Sequence, residues 1–345
     1  MAEIVLTDDG VGFDGRMAEQ RPLGGAESAV VGLVEALARR GHRVTVANKC
    51  AAPLDHHGVA WRPLQDGLPE RADLYIANRG DRLIPLLPQA RARAFWLHNP
   101  ARYVLKPRYL LKIWRWRPTL VFAGPSHRAS YPAWAPGRRA VIPLGVDGCF
   151  RTAPPRATAP ARRAIFASQP LRGLDWLLDL WRSRIRPALG DAELHLYTGA
   201  ETYAGALEKH RAEIEAILAK ADATPGVVRH APVPKPDLVA RYGEARVMLY
   251  RGDPGESFCL AVAEAQAAGL PAVVQPIAAT PERIIDGVTG FVADDAPRFA
   301  SAAIRLLGDD ALWQAQHRAC IERQRGWGWD EAAQRFEALI PGATS

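Results

Sequence analysis

The chain has 345 residues, 48% of them hydrophobic and 23% charged, which fits a soluble globular protein of two domains, each long enough to bury its own core. No apolar run approaches the ~20 residues of a membrane span, and residues 1–10 lack the basic and apolar regions of a secretory leader, so a cytoplasmic protein is expected. Cys50, Cys149, Cys259 and Cys320 lie far apart with no C-x-x-C, so neither a zinc site nor a disulfide framework is implied by them, and the formal charge of +7 favours an anionic partner.

Glu3-Ile4-Val5-Leu6-Thr7 is a short β run. Gly10-Val11-Gly12-Phe13-Asp14-Gly15 after it satisfies G-x-G-x-x-G in form, but that fingerprint needs its third glycine to open a helix. Residues 16–22 are polar and end in Pro22, so a loop is expected there and not a nicotinamide or flavin site. The helix begins after Pro22-Leu23-Gly24-Gly25, carries Ala26, Val30, Leu33, Val34 and Leu37 on one stripe, and stops at Gly41. Gly24-Gly25 ahead of a helix lets backbone N–H groups approach a phosphate, because no Cβ intervenes; a plain turn into a helix is the alternative. The strand Arg43-Val44-Thr45-Val46-Ala47 follows. Asp73-Leu74-Tyr75-Ile76-Ala77 and Arg93-Ala94-Phe95-Trp96-Leu97 read as further parallel strands. His98 sits just past the second, at a carboxyl end of the sheet, where open α/β sheets bind ligands; there it either faces a ligand or satisfies a loop carbonyl.

The stretch 102–117 places six cations among aromatic and aliphatic residues and contains no acid. Arg102, Lys106, Arg108, Lys112, Trp114, Arg115, Trp116 and Arg117 suit a basic aromatic helix on an anionic bilayer, with rings at headgroup level and cations over phosphates. A half-buried helix with solvated charges is the alternative, and no nucleic-acid-binding module accompanies the patch. Leu120-Val121-Phe122 and Ala140-Val141-Ile142 close the first half, and residues 151–163, crowded with Pro, Ala and Arg, are the expected linker.

In the second half, Ala164-Ile165-Phe166-Ala167-Ser168 begins a new sheet, and Gln169-Pro170-Leu171-Arg172-Gly173 turns into a helix bearing Leu174, Leu177, Leu178 and Trp181. Glu193-Leu194-His195-Leu196-Tyr197 is the next strand, and residues 203–221 read as a charged helix. The strand Ala245-Arg246-Val247-Met248-Leu249-Tyr250 delivers Glu256-Ser257-Phe258-Cys259-Leu260-Ala261-Val262-Ala263-Glu264, which runs through Gly269-Leu270-Pro271 into Ala272-Val273-Val274. That is loop, helix, stop and strand, a βα unit of a parallel sheet. Glu256 falls in the loop and Glu264 on the helix, with the backbone N–H groups of Ser257, Phe258, Cys259 and Leu260 at an end that attracts anions. Thr280-Pro281-Glu282 is read as capping a short helix that reaches Asp286-Gly287, and residues 327–340 as a terminal helix.

Glu-x7-Glu followed by Gly-Leu-Pro and a strand resembles the retaining glycosyltransferases of family 4, whose fold is GT-B: two Rossmann-like doubly wound parallel-sheet domains facing a central cleft. Gly24-Gly25-Ala26-Glu27 and Ile142-Pro143-Leu144-Gly145-Val146-Asp147 are similar to segments of the same family, with Leu144 in place of the usual Asn. The resemblance implies that Glu256 contacts donor-sugar hydroxyls, Glu264 the nucleotide ribose, His98 the donor sugar and Gly24-Gly25 the diphosphate. It places Ser168 and the loop residues 257–260 against the donor too, and residues 227–233 around the nucleobase. Arg172 stands where relatives have a phosphate-binding Lys, while the Arg that relatives carry earlier in this turn has no counterpart here. Arg binds phosphate as a fork where Lys is a point charge, so the substitution is not neutral.

The expected domains are 1–150, with 328–345 returning to it, as the acceptor side, and 151–327 as the nucleotide-sugar side. The expected activity is transfer of a sugar from a UDP-, GDP- or ADP-type donor to a glycolipid, lipopolysaccharide or polysaccharide-precursor acceptor. Catalytic roles fall on His98, Glu256 and Arg172. No D-x-D pair is present, so no metal or other cofactor is required by this reading. The expected partners are the donor, a lipid-linked or glycan acceptor and an anionic membrane, with the enzyme peripheral to the inner face of the cytoplasmic membrane and no nucleic acid bound. Competing readings are a GT-B epimerase or phosphorylase, which consumes donor without an acceptor, a nicotinamide oxidoreductase resting on residues 10–15, and a non-enzymatic membrane-binding module.

Overall fold

The computed structural model describes residues 1–199 and 208–342. Residues 203–207, the start of the expected charged helix, lie outside the described residues, and the chain is helical over Arg211–Asp222. Two compact units are present, Met1–Gly145 with Trp327–Ser345, and Val146–Gly326. The chain crosses at Gly145 to Val146, so the Pro- and Arg-rich residues 151–163 belong to the second unit and do not link the two.

The first unit holds an eight-stranded sheet: β1 (Glu3–Asp8), β2 (Arg43–Asn48), β3 (Leu54–His56), β4 (Val59–Pro63), β5 (Arg71–Asn78), β6 (Gln89–Trp96), β7 (Thr119–Phe122) and β8 (Arg138–Val141). Their order is β3-β4-β2-β1-β5-β6-β7-β8, parallel except for the β3–β4 hairpin. Ile4, Val5 and Leu6 are wholly buried, as befits a strand covered on both faces. The helix Gly25–Arg39 buries Val30, Val31, Leu33, Val34 and Leu37. The terminal helix Trp329–Glu337 sets Phe336 edge-on to Trp96, with ring centroids 5.3 Å apart. Trp329 packs over Gly32 and Gly145, where any Cβ would collide with it. Glu337 accepts hydrogen bonds from Arg40 at 2.7 Å and from His42 at 2.9 Å, so this helix is fastened to the first unit at both ends.

The second unit holds β9 (Arg163–Phe166), β10 (Glu193–Tyr197), β11 (Val227–His230), β12 (Val247–Tyr250), β13 (Ala272–Val274) and β14 (Gly290–Val292). Their order is β11-β10-β9-β12-β13-β14, with every described pair parallel. Counted from β9, this is the 3-2-1-4-5-6 Rossmann order. The helix after Arg172-Gly173 runs Leu174–Leu180 and passes through a π turn, Trp181–Ile185, into Arg186–Leu189, where Pro187 supplies no N–H to the ladder. The helix expected after Thr280 is only the 3-10 turn Thr280–Arg283, because the Thr280 hydroxyl donates back to the carbonyls of Gln275 (2.5 Å) and Ile277 (2.7 Å) and folds the segment on itself. No helix among the described residues is long and apolar enough to cross a membrane.

Candidate active site

In the second unit the chain leaves β9 and β12 toward opposite sides of the sheet. The loops beyond Phe166 and Tyr250 therefore part, and open a crevice at the carboxyl ends of the strands. The β9 loop brings Ser168 and Arg172, and the β12 loop brings Asp253 and Glu256. Arg172 Nη1 lies 3.1 Å from Asp253 Oδ1 and 3.2 Å from Glu256 Oε1, and the Tyr250 hydroxyl donates to the same Glu256 oxygen. Asp253 Oδ1 also accepts the Gly255 N–H at 2.7 Å, which closes the turn that aims Glu256. The Ser168 carbonyl accepts from Thr198 Oγ1 at 2.6 Å. Burial lifts the Glu256 carboxyl above the usual carboxylate range, while Arg172 and Tyr250 pull it back. Burial works to lower the Arg172 pKa, and the negative groups around it, Glu256 first and then Tyr250 and Asp253, together more than offset it, so the guanidinium stays charged.

The helix that follows, Leu260–Ala267, starts at Cys259, whose φ of +68° is unusual for a residue with a Cβ and whose side chain makes no capping hydrogen bond. Burial pushes the Cys259 thiol far up, so it is an inert thiol. Ser257 and Phe258 are buried, and the Arg283 guanidinium lies 4.1 Å from the Phe258 ring centroid with its Nε buried and without a hydrogen-bond partner. Glu264 stands in the second turn of this helix, buried, with Lys235 Nζ 2.9 Å from Oε1; the same ammonium is 4.0 Å from Asp147. Burial raises the Glu264 carboxyl and Lys235 opposes it, while Glu264 and Asp147 together hold Lys235 protonated against its own burial. The expected base-binding segment forms edge strand β11, where the His230 and Tyr197 rings stack at 4.6 Å.

The first unit has its own switch point, between β1 and β5. Asn78 Nδ2 donates to Asp8 Oδ2 at 2.5 Å, and Asn78 Oδ1 meets His98 Nε2 at 2.8 Å, which makes Nε2 the protonated nitrogen of the ring. Arg79, held at φ +66°, bridges Asp8 at 2.7 Å and Glu27 at 3.0 Å. Burial first, and then the Arg79 and His127 charges, drive the His98 pKa well below 6.5, so the ring is neutral near pH 7. Gly24 is the N-cap of the helix Gly25–Arg39, and a Cβ on Gly25 would meet no atom within 4 Å. The glycines of 10–15 have no such room: Gly10 faces the Arg79 guanidinium, Gly12 the Lys49 carbonyl, and Gly15 the His56 and Trp61 rings, so protein fills the space a dinucleotide phosphate would need. A cavity of about 470 Å³ opens beside Asp9, Gly10, Arg79, Asp81, Arg82 and Arg108.

The basic aromatic stretch becomes a 3-10 turn, Ala101–Leu105, and the helix Pro107–Trp116. Tyr109 and Ile113 face the core, whereas Leu111 and Trp114 are each 66% exposed and Trp134 nearby in the chain is 71% exposed. Arg102, Lys106, Arg108, Arg115 and Arg117 are exposed, with Arg108 Nε also 3.5 Å from Asp81, and two further members of the expected surface are turned inward. Lys112 is tied to Asp81 at 2.6 Å, and Trp116 is packed against the core beneath Arg93, because helical periodicity turns both inward. The structure thus brings Ser168, Arg172 and Glu256 to one switch point and His98 to the other. Sequence reasoning missed Tyr250, Asp253, Lys235 and Arg283 at the first, and Asp8, Asn78 and Arg79 at the second.

Residues 163–309 match the family described as Glycosyl transferases group 1. The D-inositol 3-phosphate glycosyltransferase of Kribbella flavida is 29% identical over 229 residues, 61% of this chain and 52% of that protein. That of Streptomyces avermitilis is 32% identical over 213 residues, 57% and 45% of the two chains. The chain spans about half the length of these curated relatives, or less. Among solved structures, sucrose-phosphate synthase from Thermosynechococcus elongatus superposes with a TM-score of 0.75 at 18% identity, covering 97% of each chain. HepE of Anabaena in complex with UDP-glucose gives 0.71 at 14% identity, covering 99% of each chain. The two α/β units have the GT-B fold of these solved structures, and residues 163–309 are similar to the glycosyl transferases group 1 family.

Proposed function

We propose that the chain is a retaining glycosyltransferase of family 4 that moves a sugar from a UDP-, GDP- or ADP-type donor to a glycolipid, lipopolysaccharide or polysaccharide-precursor acceptor at a membrane surface. The observation that carries the reading is the Arg172–Glu256 pair at the β9/β12 switch point, 3.2 Å apart and directly ahead of a helix N-terminus. Breaking the bond between the anomeric carbon and the diphosphate leaves negative charge on the phosphate. Arg172, the amides opening the helix Leu260–Ala267, and Arg283 beside Phe258 are assigned to that charge, with Arg283 in place of the cation that relatives carry earlier in the turn. The acceptor oxygen bonds to the anomeric carbon on the face the diphosphate leaves, and its proton passes to the departing phosphate.

Ionised Glu256 accepts hydrogen bonds from sugar hydroxyls, and Glu264, charge-paired with Lys235, holds the ribose. His98, neutral, hydrogen-bonds the sugar and carries no proton through the reaction. Gly24-Gly25 is assigned to the diphosphate, and Ser168 with residues 257–260 to the rest of the donor. The polar cavity beside Arg82 and Arg108 is assigned to the acceptor head group. The substrate in the relatives' names, D-inositol 3-phosphate, is a small phosphorylated polyol of the kind such a cavity suits. Exposed Leu111, Trp114 and Trp134 among basic residues support docking to an anionic membrane, peripheral to the inner face of the cytoplasmic membrane.

A thermal-shift panel of nucleotide sugars tests the donor, since a true donor raises the midpoint with its occupancy. Product analysis with and without acceptor separates transfer from an epimerase or phosphorylase. If no UDP-, GDP- or ADP-sugar stabilises the protein, the assignment fails.

A further inference from the structure

Away from both switch points, three elements of the first unit carry nitrogen and oxygen donors to one spot. The β3–β4 hairpin supplies His56 and His57, and the one-turn helix Met17–Gln20 supplies Glu19. Glu35, from the helix Gly25–Arg39, stands behind them. His56 Nε2 is 3.4 Å from Glu19 Oε1, His57 Nε2 is 3.5 Å from the same oxygen, and the three donor atoms lie within 4.8 Å of one another. Tetrahedral zinc bonded at about 2.0–2.2 Å requires ligand atoms about 3.3–3.5 Å apart, and the two His–Glu separations have that value.

Two further observations point to a bound cation. His56 Nε2 is buried yet takes part in no hydrogen bond, because Glu19 stands outside hydrogen-bonding geometry. His57 turns its other nitrogen, Nδ1, to Glu35 at 3.1 Å. A carboxylate on Nδ1 fixes the tautomer whose Nε2 lone pair faces outward, the arrangement that commonly supports a metal-ligating histidine. The backbone is also bent to the purpose. His57 sits at φ +48°, which folds it back so that its ring stacks on His56 at 3.9 Å, and Gly15 admits the His56 ring at a distance a Cβ would block.

We propose that Glu19, His56 and His57 form a zinc site, with Glu35 as the positioning group for His57. Two imidazoles and one carboxylate select a borderline first-row cation over Mg²⁺ or Ca²⁺. Three protein ligands leave a fourth position for water. The ion pins the Met17–Gln20 turn to the β3–β4 hairpin, and the site is independent of the glycosyl-transfer reading.

The test is calorimetric titration of the metal-free full-length chain with ZnCl₂, with Co²⁺ as the spectroscopic probe. One equivalent of Zn²⁺ is expected, with the visible absorption of four-coordinate cobalt, a raised thermal midpoint and no competition from Mg²⁺. His57→Asn keeps a residue that tolerates the left-handed backbone and loses the tight equivalent, as does Glu19→Gln, while Glu35→Gln weakens binding about 10–100-fold. The metal-free variants should melt near the metal-free wild type. Should His57→Asn fail to fold, Glu19→Gln, on an exposed one-turn helix, reads the same ligand set. Wild type without a stoichiometric zinc, or uptake that survives both His57→Asn and Glu19→Gln, overturns the proposal.

Discussion

Arg172 Nη1 and Glu256 Oε1 stand 3.2 Å apart at the carboxyl ends of adjacent strands, one delivered by the loop after β9 and the other by the loop after β12. Each charge is largely buried and is compensated chiefly by the other, so they function as a unit. Arg172→Ala should lower kcat about 10²–10³-fold, as loss of one transition-state charge partner does, with a smaller loss for Arg172→Lys. The same change removes the cation that pulls the Glu256 carboxyl down against burial. Its pKa then rises further, and the acid limb of the kcat profile moves to higher pH; an unmoved limb would show that Glu256 does not titrate in the reaction.

Lys235 is the main counter-charge of buried Glu264. Lys235→Met should cost roughly 3 kcal/mol, the lower end of what stranding a buried charge costs because the ammonium is partly exposed, and adding Glu264→Gln should restore most of it. The sign with pH follows from the raised Glu264 carboxyl. Below about 4.5 both folded and unfolded states are protonated and the deficit is small. Above it the unfolded state ionises first, so the deficit grows with pH until the folded group also ionises. Urea unfolding at several pH values measures this.

Gly25→Ala should fold at least as well as wild type, since a Cβ there meets no protein atom within 4 Å and alanine favours a helix over glycine by about 0.5–1 kcal/mol. A donor phosphate in that space would meet the methyl group. The expectation is a donor KM raised about tenfold, equivalent to about 1.4 kcal/mol, with thermal stability no lower than that of wild type.

His98 is neutral because burial and the Arg79 charge disfavour its cation. Its folded pKa lies well below 6.5, so on acidification the unfolded chain takes the proton first and stability falls beneath about pH 6.5. His98→Gln should flatten that acid dependence and lower activity. The wild-type rate profile should show no histidine limb above pH 6.5.

Leu111, Trp114 and Trp134 carry the exposed apolar area next to the basic residues. Replacing all three by Ala should reduce flotation with anionic vesicles at least tenfold, about 1.4 kcal/mol, while donor binding in solution stays unchanged. Equal flotation of the triple variant, or wild-type binding insensitive to salt, would remove the membrane from the proposal.

The alternation of strands and helices was legible because parallel strands such as Ile4-Val5-Leu6 and Ala272-Val273-Val274 are short apolar runs bounded by turn residues. Strand β3, Leu54-Asp55-His56, was not, since three residues at a polar sheet edge have no readable period. Glu256, Glu264 and Arg172 were singled out from local motifs. Pairings across the fold were hidden by distance along the chain: Arg172 meets Asp253 across 81 residues and Arg79 meets Asp8 across 71, and no short window on the sequence holds either pair. The Pro- and Arg-rich residues 151–163 resembled a linker by composition, yet Arg156 N–H donates to His317 Nε2 at 2.9 Å, which binds the segment into the second unit.

The helix Trp329–Glu337 belongs to the first unit although all of the second unit precedes it in the chain. During synthesis the second unit can therefore close on its own residues while Trp96, Gly32 and Gly145 still await the indole and phenyl rings that cover them. The half of the molecule that emerges from the ribosome first is the last to be finished, and residues 1–145 expressed without the final helix should remain an open, aggregation-prone sheet.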